Sequence, residues 1–211
     1  MTDTKKLYDA ILNGNAKVAA EVTQAALAEG AEPGDLVAQC MIPAMDEVGR
    51  LFEAEEYFVP ELLLAGRAMK AALEYLRPLL AASGAKPSGK VIIGTVKGDL
   101  HDIGKNLVAA MLEGGGFEVN DLGVDVSPEK FAAAAREKNA TIVALSALLT
   151  TTMPSMRATV EALKTAGVRG QVKIMIGGAP VTQKYADEIG ADGYSENAAG
   201  AVNLARRLMA A

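Results

Sequence analysis

"KVIIGTVKGDLHDIGKN", residues 90 to 106, passes from a β-rich apolar run into a loop of glycine, aspartate and histidine, and then into a helical stretch. Strand, polar loop and helix in that order are the repeating unit of a parallel sheet. Three more apolar runs follow at similar spacing, FEVNDLG (117–123), TIVALSA (141–147) and VKIMIGG (172–178), with a short fifth near 192–194. Helical stretches fall near 103–115, 128–138, 153–167, 181–190 and 197–210. Near-continuous apolar strands fit a sheet covered by helices on both faces. Five strands predict the flavodoxin-like order 2-1-3-4-5, a Rossmann-like α/β domain with a parallel sheet over residues 90–211.

Upstream the rhythm is different. Apolar residues recur three or four apart, at Val37, Met41, Met45, Val48 and Phe52, then at Val59, Leu62, Leu63, Met69, Leu73, Leu76 and Leu80. Breaks at 13–15, 30–34 and 53–58 divide residues 1–83 into about four helices with short connections, hence an antiparallel four-helix bundle. Pro60 suits the first turn of the last helix, whereas Pro43 and Pro78 should kink or shorten theirs. "ASGAKPSG" (82–89) reads as a linker, which bounds a bundle over 1–83, a connection over 84–89 and the α/β domain from 90.

Bulk composition excludes several classes. Half the residues are hydrophobic and 22% are charged, as in soluble globular proteins. The net charge of −5 comes entirely from residues 1–89, and no basic stripe offers itself to phosphates, so nucleic acid is not an expected partner. A single cysteine, Cys40, cannot form an intramolecular disulfide or a cysteine-ligated iron–sulfur cluster. The N-terminus carries no basic segment followed by an apolar run, and no stretch approaches the ~20 apolar residues of a membrane span. A cytoplasmic protein without membrane association is the expectation.

The predicted strand order also locates a site. Ligands of such sheets sit beyond the carboxyl ends of the strands, at the switch point between strands 1 and 3. The loops gathered there are KGDLHDIG (97–104), SALLTTTM (146–153) and GGAP (177–180). A phosphate loop is excluded, because Gly98 and Gly104 have the wrong spacing and Lys105 is followed by Asn106. The first turn lacks a dinucleotide fingerprint, and a phospho-accepting receiver would carry aspartate where Ser146 stands.

What remains is His101, the only histidine in the chain, with Asp99 two residues earlier. A surface or helix-capping histidine is the plain alternative. At a ligand rim, Asp99 would instead accept a hydrogen bond from one ring nitrogen and leave the other free for a metal. One histidine cannot complete a protein-only zinc site. The metal would have to arrive with most of its coordination filled, as in a metal macrocycle.

These residues resemble a known family. "DLHDIG" (99–104) is similar to the D-x-H-x-x-G motif of cobalamin-binding domains, Ser146-Ala147-Leu148 to the S-x-L of the third strand's loop, and Gly177-Gly178 to the G-G after the fourth strand. "GRLFEAEEYFVPELLLAGRAMK" (49–70) resembles the helical cap of the methionine-synthase type. The likeness spans nearly the whole chain, and its two-domain size is that of stand-alone corrinoid proteins of methyltransferase systems.

The resemblance implies a site, residue by residue. His101 would be the lower cobalt ligand, Asp99 its hydrogen-bond partner and Thr152 the hydroxyl that continues the relay, standing where such proteins have serine. The loop residues Gly98, Leu100, Asp102, Ile103 and Gly104, with Leu148, would cradle the corrin. Gly94, Gly104, Ser146, Gly177 and Gly178 would keep a slot open for the nucleotide tail, Ser146 and Thr150 would bond it, and Tyr194 and Ser195 would border it. Phe52, Val59 and Leu62 would cover the upper face. The plain alternatives are tight turns for the glycines, an N-cap for Thr152 and ordinary bundle core for Leu62.

The implied cofactor is cobalamin or a related corrinoid, cycling between cob(I)alamin and methylcobalamin at its cobalt. The implied function is a methyl carrier that serves a donor-specific methyltransferase and an acceptor methyltransferase acting on tetrahydrofolate or a thiol, and that is maintained by a reductive activase. The lid would move about a hinge at 82–89. A cobalamin-dependent sensor or regulator is the alternative. It would be expected to have an output module and an aromatic-rich lid, and the sequence offers neither. A mutase small subunit would need only the C-terminal half.

Overall fold

The computed structural model describes residues 4–83 and 86–210. Of the linker expected over 84–89, Gly84 and Ala85 lie outside the described residues. One compact unit runs up to Pro87 and also takes in Ala110–Gly116, and the second comprises the rest of the chain.

The first unit is helical: α1 (Thr4–Leu12), α2 (Ala16–Ala28), α3 (Pro33–Leu36), α4 (Ile42–Glu53) and α5 (Val59–Ser83). Leu7, Ile11, Met41, Met45, Leu62, Met69 and Leu76 are its largest wholly buried side chains. They fall at helical spacing along α1, the turn before α4, α4 and α5, and Leu112 of the Ala110–Gly116 segment joins them, whereas Val59 and Leu63 of the expected stripe are exposed. Asn15 caps α2 by accepting from the Val18 amide at 3.2 Å. The two internal prolines act differently. A π-turn at Val37–Met41 joins α3 to α4, with Ile42 N–H bonded to the Val37 carbonyl. This widened turn directly precedes Pro43, whose ring would crowd a regular α-helical turn. Pro78 lies within α5, which continues to Ser83.

Beyond Pro87 the chain alternates β1 (Lys90–Thr95), α6 (Ile103–Gly114), β2 (Glu118–Asp121), α7 (Pro128–Glu137), β3 (Ile142–Ser146), α8 (Met153–Thr165), β4 (Lys173–Gly177), α9 (Gln183–Ile189), β5 (Gly193–Tyr194) and α10 (Ala198–Ala210), and all but the end of α6 belongs to the second unit. The sheet is parallel with the order β2-β1-β3-β4-β5, as the strand–helix alternation predicted. The apolar runs of β1, β3 and β4 are buried on both faces, while β2 at one edge is half exposed. On one face Phe131, Met156, Val160 and Leu163 from α7 and α8 pack onto Ile92, Val143 and Ile174. Gly94 belongs to this packing rather than to a ligand slot, because a Cβ there would lie 2.8 Å from Phe131 Cζ.

Register then builds the rim. Thr95 pairs with Ser146 and Ser146 with Gly177, so β1, β3 and β4 end level. The loops after these three strands therefore leave the sheet together at the switch point. No helix among the described residues is long and apolar enough to cross a membrane.

Candidate functional site

The loop from β1 to α6 turns sharply after Val96, and Gly98 has φ +85°, a left-handed conformation that glycine adopts at little cost. The turn directs Asp99 inward and His101 outward. Asp99 is wholly buried, whereas the His101 side chain is 51% exposed.

Asp99 is the hub. Its Oδ1 accepts from the His101 amide at 3.1 Å and faces His101 Nδ1 at 2.7 Å. Its Oδ2 accepts from the Leu148 and Leu149 amides at 2.8 and 3.4 Å and from Thr152 Oγ1 at 2.7 Å. Burial alone would raise this carboxyl's pKa. The bonds from Thr152, His101 and the Leu148 amide outweigh that and hold it well below the usual carboxylate range. An ionised Asp99 accepts only, so Nδ1 carries a ring proton, and in the neutral imidazole the lone pair is on Nε2.

Thr152 stands at the N-cap position of α8 but makes no capping bond. Its hydroxyl lies instead between Asp99 Oδ2 and the Leu149 carbonyl, at 2.7 and 2.9 Å. The capping alternative therefore does not describe it. Thr152, Asp99 and His101 form one continuous hydroxyl–carboxylate–imidazole chain.

The other predicted residues divide into groups. Leu100 and Ile103 flank His101, and the pair whose amides hold Asp99 is Leu148 and Leu149; these four apolar side chains are 71%, 75%, 43% and 42% exposed. Gly104 has open space where a Cβ would point. Asp102 accepts from Asn106 Nδ2 at 3.1 Å, which steadies the start of α6. Gly178 has φ +129°, and a Cβ there would lie 1.9 Å from the Ala147 carbonyl oxygen, so it lets the loops after β3 and β4 touch. Gly177 is similarly close to Ser195, where a Cβ would stand 3.2 Å from the backbone oxygen. Ser146 and Tyr194 are half-buried and Thr150 is exposed, while the Ser195 hydroxyl is turned to the Asn197 carbonyl at 2.8 Å. In the helical unit Phe52 is half-buried, Val59 is exposed and Leu62 has no exposed surface. Leu62 is thus fully buried in this conformation.

Sequence reasoning missed several supports. Thr95 Oγ1 donates to the His101 carbonyl at 2.8 Å, and Ser155 Oγ to the Lys97 carbonyl at 3.0 Å. Lys105 is buried and pairs with Asp121 and, at 2.6 Å, with Asn106 Oδ1. The Gly104-Lys105-Asn106 run tempts a phosphate reading, but this ammonium is spent on a local carboxylate.

Among the described residues no cluster of three or more histidine, cysteine or acidic side chains could hold a bare metal ion. The rim instead offers one imidazole of fixed tautomer, set among exposed apolar side chains on a doubly wound sheet. That arrangement defines a domain for a flat, apolar, metal-bearing ligand that brings most of its own coordination. Residues 89–203 match the B12 binding domain, and residues 4–77 match a second, helical family of the same description. The chain belongs to the B12 binding domain family. It is 46% identical over 200 residues to trimethylamine corrinoid protein 1 of Methanosarcina mazei, covering 94% of this chain and 93% of that one. It superposes on a cobalamin-binding protein of Desulfitobacterium hafniense with a TM-score of 0.80, 36% identity and 99% of both chains covered. With the methanol:cobalamin methyltransferase complex of Methanosarcina barkeri the TM-score is 0.86 at 32% identity, covering 98% of this chain and 79% of that one.

A corrinoid fits the residues present. A corrinoid brings most of its cobalt's coordination with it, and His101 Nε2 is the nitrogen this rim would offer to it. The apolar side chains around His101 suit the face of the ring, and the open space at Gly104 leaves room beside it.

Proposed function

We propose that the protein is a corrinoid methyl carrier, with His101 Nε2 as the lower axial ligand to cobalt. The observation that carries this reading is the 2.7 Å contact between the buried Asp99 carboxylate and His101 Nδ1, which leaves Nε2 as the ring nitrogen free to meet a metal. When bound, the corrinoid supplies a cobalt centre that takes up a methyl group from one partner's substrate and gives it to another's.

The chain's own residues orient the ligand and hold its proton. Asp99 orients His101 through Nδ1 and would stabilise the imidazolium whenever Nε2 carries a proton instead of a metal. Thr152 Oγ1 serves either charge state of Asp99. With Asp99 ionised, the hydroxyl donates to Oδ2. With a proton on Oδ2, the hydroxyl accepts it and turns its own hydrogen to the Leu149 carbonyl, 2.9 Å away. Both states are therefore fully hydrogen-bonded, which would suit a group that holds or passes a proton beside His101.

Donor and acceptor are supplied by partner enzymes: a donor-specific methyltransferase, an acceptor methyltransferase and a reductive activase. A methylamine is the favoured donor class, because the chain is 46% identical to a trimethylamine corrinoid protein over 94% of its length. The acceptor is tetrahydrofolate or a thiol. The test is to load the protein with cob(I)alamin and add methylamines or methanol with their methyltransferases. A methyl-cobalt absorption spectrum that appears with one donor supports the reading. No methylation with any donor contradicts it.

A further inference from the structure

We propose that Asp125 is the positioning residue that latches the histidine loop in its ligating conformation; this rests on His101 being the axial ligand. Asp125 lies in the loop after β2, next to Val126, which bridges to Val96 at the root of the histidine loop. Its Oδ1 accepts from the Gly98 amide at 2.7 Å, and its own amide donates to the Asp99 carbonyl at 3.0 Å. Two bonds of opposite polarity thus straddle the peptide that joins Gly98 to Asp99. Among the described residues the Gly98 amide takes no other acceptor.

The backbone on both sides of the latch is unusual. Gly98 has φ +85° and Asp125 has φ +51°. Positive φ is uncommon outside glycine, and aspartate and asparagine are among the few residues that accept it. Position 125 therefore makes two demands: a left-handed backbone and a side-chain acceptor. Glycine meets the first, asparagine meets both, and alanine meets neither.

The bonds from Leu148, Leu149 and Thr152 anchor the Asp99 carboxylate to the loop after β3. The latch adds a separate anchor at the backbone on either side of the Gly98–Asp99 peptide, tying it to the loop after β2 through Asp125. Loss of the latch should let the Gly98–His101 segment drift from the position that reaches cobalt, and displacements of about 1 Å matter at such sites.

The test uses the full chain carrying Asp125→Gly, Asp125→Asn or Asp125→Ala. One readout is hydrogen exchange of the Gly98 amide in the cofactor-free protein. The other is the share of bound cob(II)alamin ligated by histidine, read from the nitrogen splitting of its electron paramagnetic resonance after labelling with [15N]histidine. Asp125→Gly should speed Gly98 exchange by about 2- to 10-fold, the equivalent of one ordinary hydrogen bond, and should transfer part of the cobalt signal to the cofactor's own tail nitrogen. Asp125→Asn should match the parent, and Asp125→Ala should exceed Asp125→Gly. A lowered Tm with parental exchange and an undiminished histidine signal in Asp125→Gly would overturn the latch, as would an Asp125→Asn variant as impaired as Asp125→Gly. Tail nitrogen on cobalt in the parent would overturn the histidine assignment itself and the latch with it.

Discussion

Thr152 Oγ1 lies 2.7 Å from the buried carboxylate of Asp99, although 53 residues separate the two in the chain. The contact exists because Thr95 and Ser146 pair at the ends of adjacent strands, which brings the loops after β1 and β3 side by side. Through it the start of α8 is tied to the loop that presents His101.

Replacing Thr152 by valine keeps the shape and removes the hydroxyl. The Leu149 carbonyl keeps its bond from the Thr152 amide at 3.0 Å, so the loss falls on Asp99. Thr152→Val should cost about 1.5–3 kcal/mol, the range for a hydrogen bond to a charged group. Thr152→Ser keeps the hydroxyl and loses one buried methyl, so it should cost no more than about 1 kcal/mol. Urea unfolding of the cofactor-free proteins measures both.

Asp99→Asn should act on the imidazole as well as on stability. An amide cannot accept at both ends: either its NH2 faces the Leu148 amide and the Thr152 hydroxyl, or it faces His101 Nδ1. In the second case Nδ1 becomes the acceptor, the proton moves to Nε2 and the metal-binding lone pair is lost. A donor left facing a donor in this buried site costs about 1–3 kcal/mol. The expected result is a weaker hold on cobalamin with the tail nitrogen on cobalt, visible in the absorption spectrum. An unchanged spectrum and affinity would oppose the assigned role.

The pH dependence has a definite sign. Asp99 titrates lower in the folded protein than the ~3.9 of an unfolded chain. The folded state then binds fewer protons in that window, so stability rises with pH through it. The contribution of Asp99 is complete above about pH 4 and is lost as the pH falls further toward its folded pKa. The stability gap between the parent and Asp99→Asn, from urea unfolding at a series of pH values, should be flat from pH 7 to about 4 and shrink only below. A gap that instead widens as the pH falls from about 6 would mean a raised pKa and a different hydrogen-bond pattern.

Much of this was legible before the structure. Runs such as Val91-Ile92-Ile93 and Ile142-Val143-Ala144-Leu145 leave a buried parallel strand as the simplest reading, and strand order then brings His101, Ser146 and Gly177 to one rim. Asp99 two residues before His101 is a local relation, so it could be read directly. Thr152 came from the family motif, because nothing in spacing alone links it to Asp99. The rest depends on contacts between distant segments. Asp125 sits in an unremarkable stretch, and only tertiary pairing places it against Gly98. Gly94 looks like its neighbouring glycines, yet the ring of Phe131 from α7 fills the space it leaves. Lys105 reads as a surface cation until its burial against Asp121 is seen.

Gly178→Ala probes the rim itself. The added Cβ would overlap the Ala147 carbonyl oxygen at 1.9 Å in a backbone conformation foreign to alanine. The loops after β3 and β4 must then part, at a cost of at least about 2 kcal/mol. Cobalamin binding should weaken along with stability. Gly170→Ala, which meets open space in the turn before β4, should leave both unchanged and is the matched control.

The central claim is a bond from His101 Nε2 to cobalt, and electron paramagnetic resonance of the cob(II)alamin-loaded protein tests it most directly. The chain has one histidine, so [15N]histidine labels a single site. A cobalt signal whose axial lines split in two in the labelled protein and in three in the unlabelled protein is the predicted result. Three-fold splitting in both would place the cofactor's own nitrogen on cobalt and contradict the account.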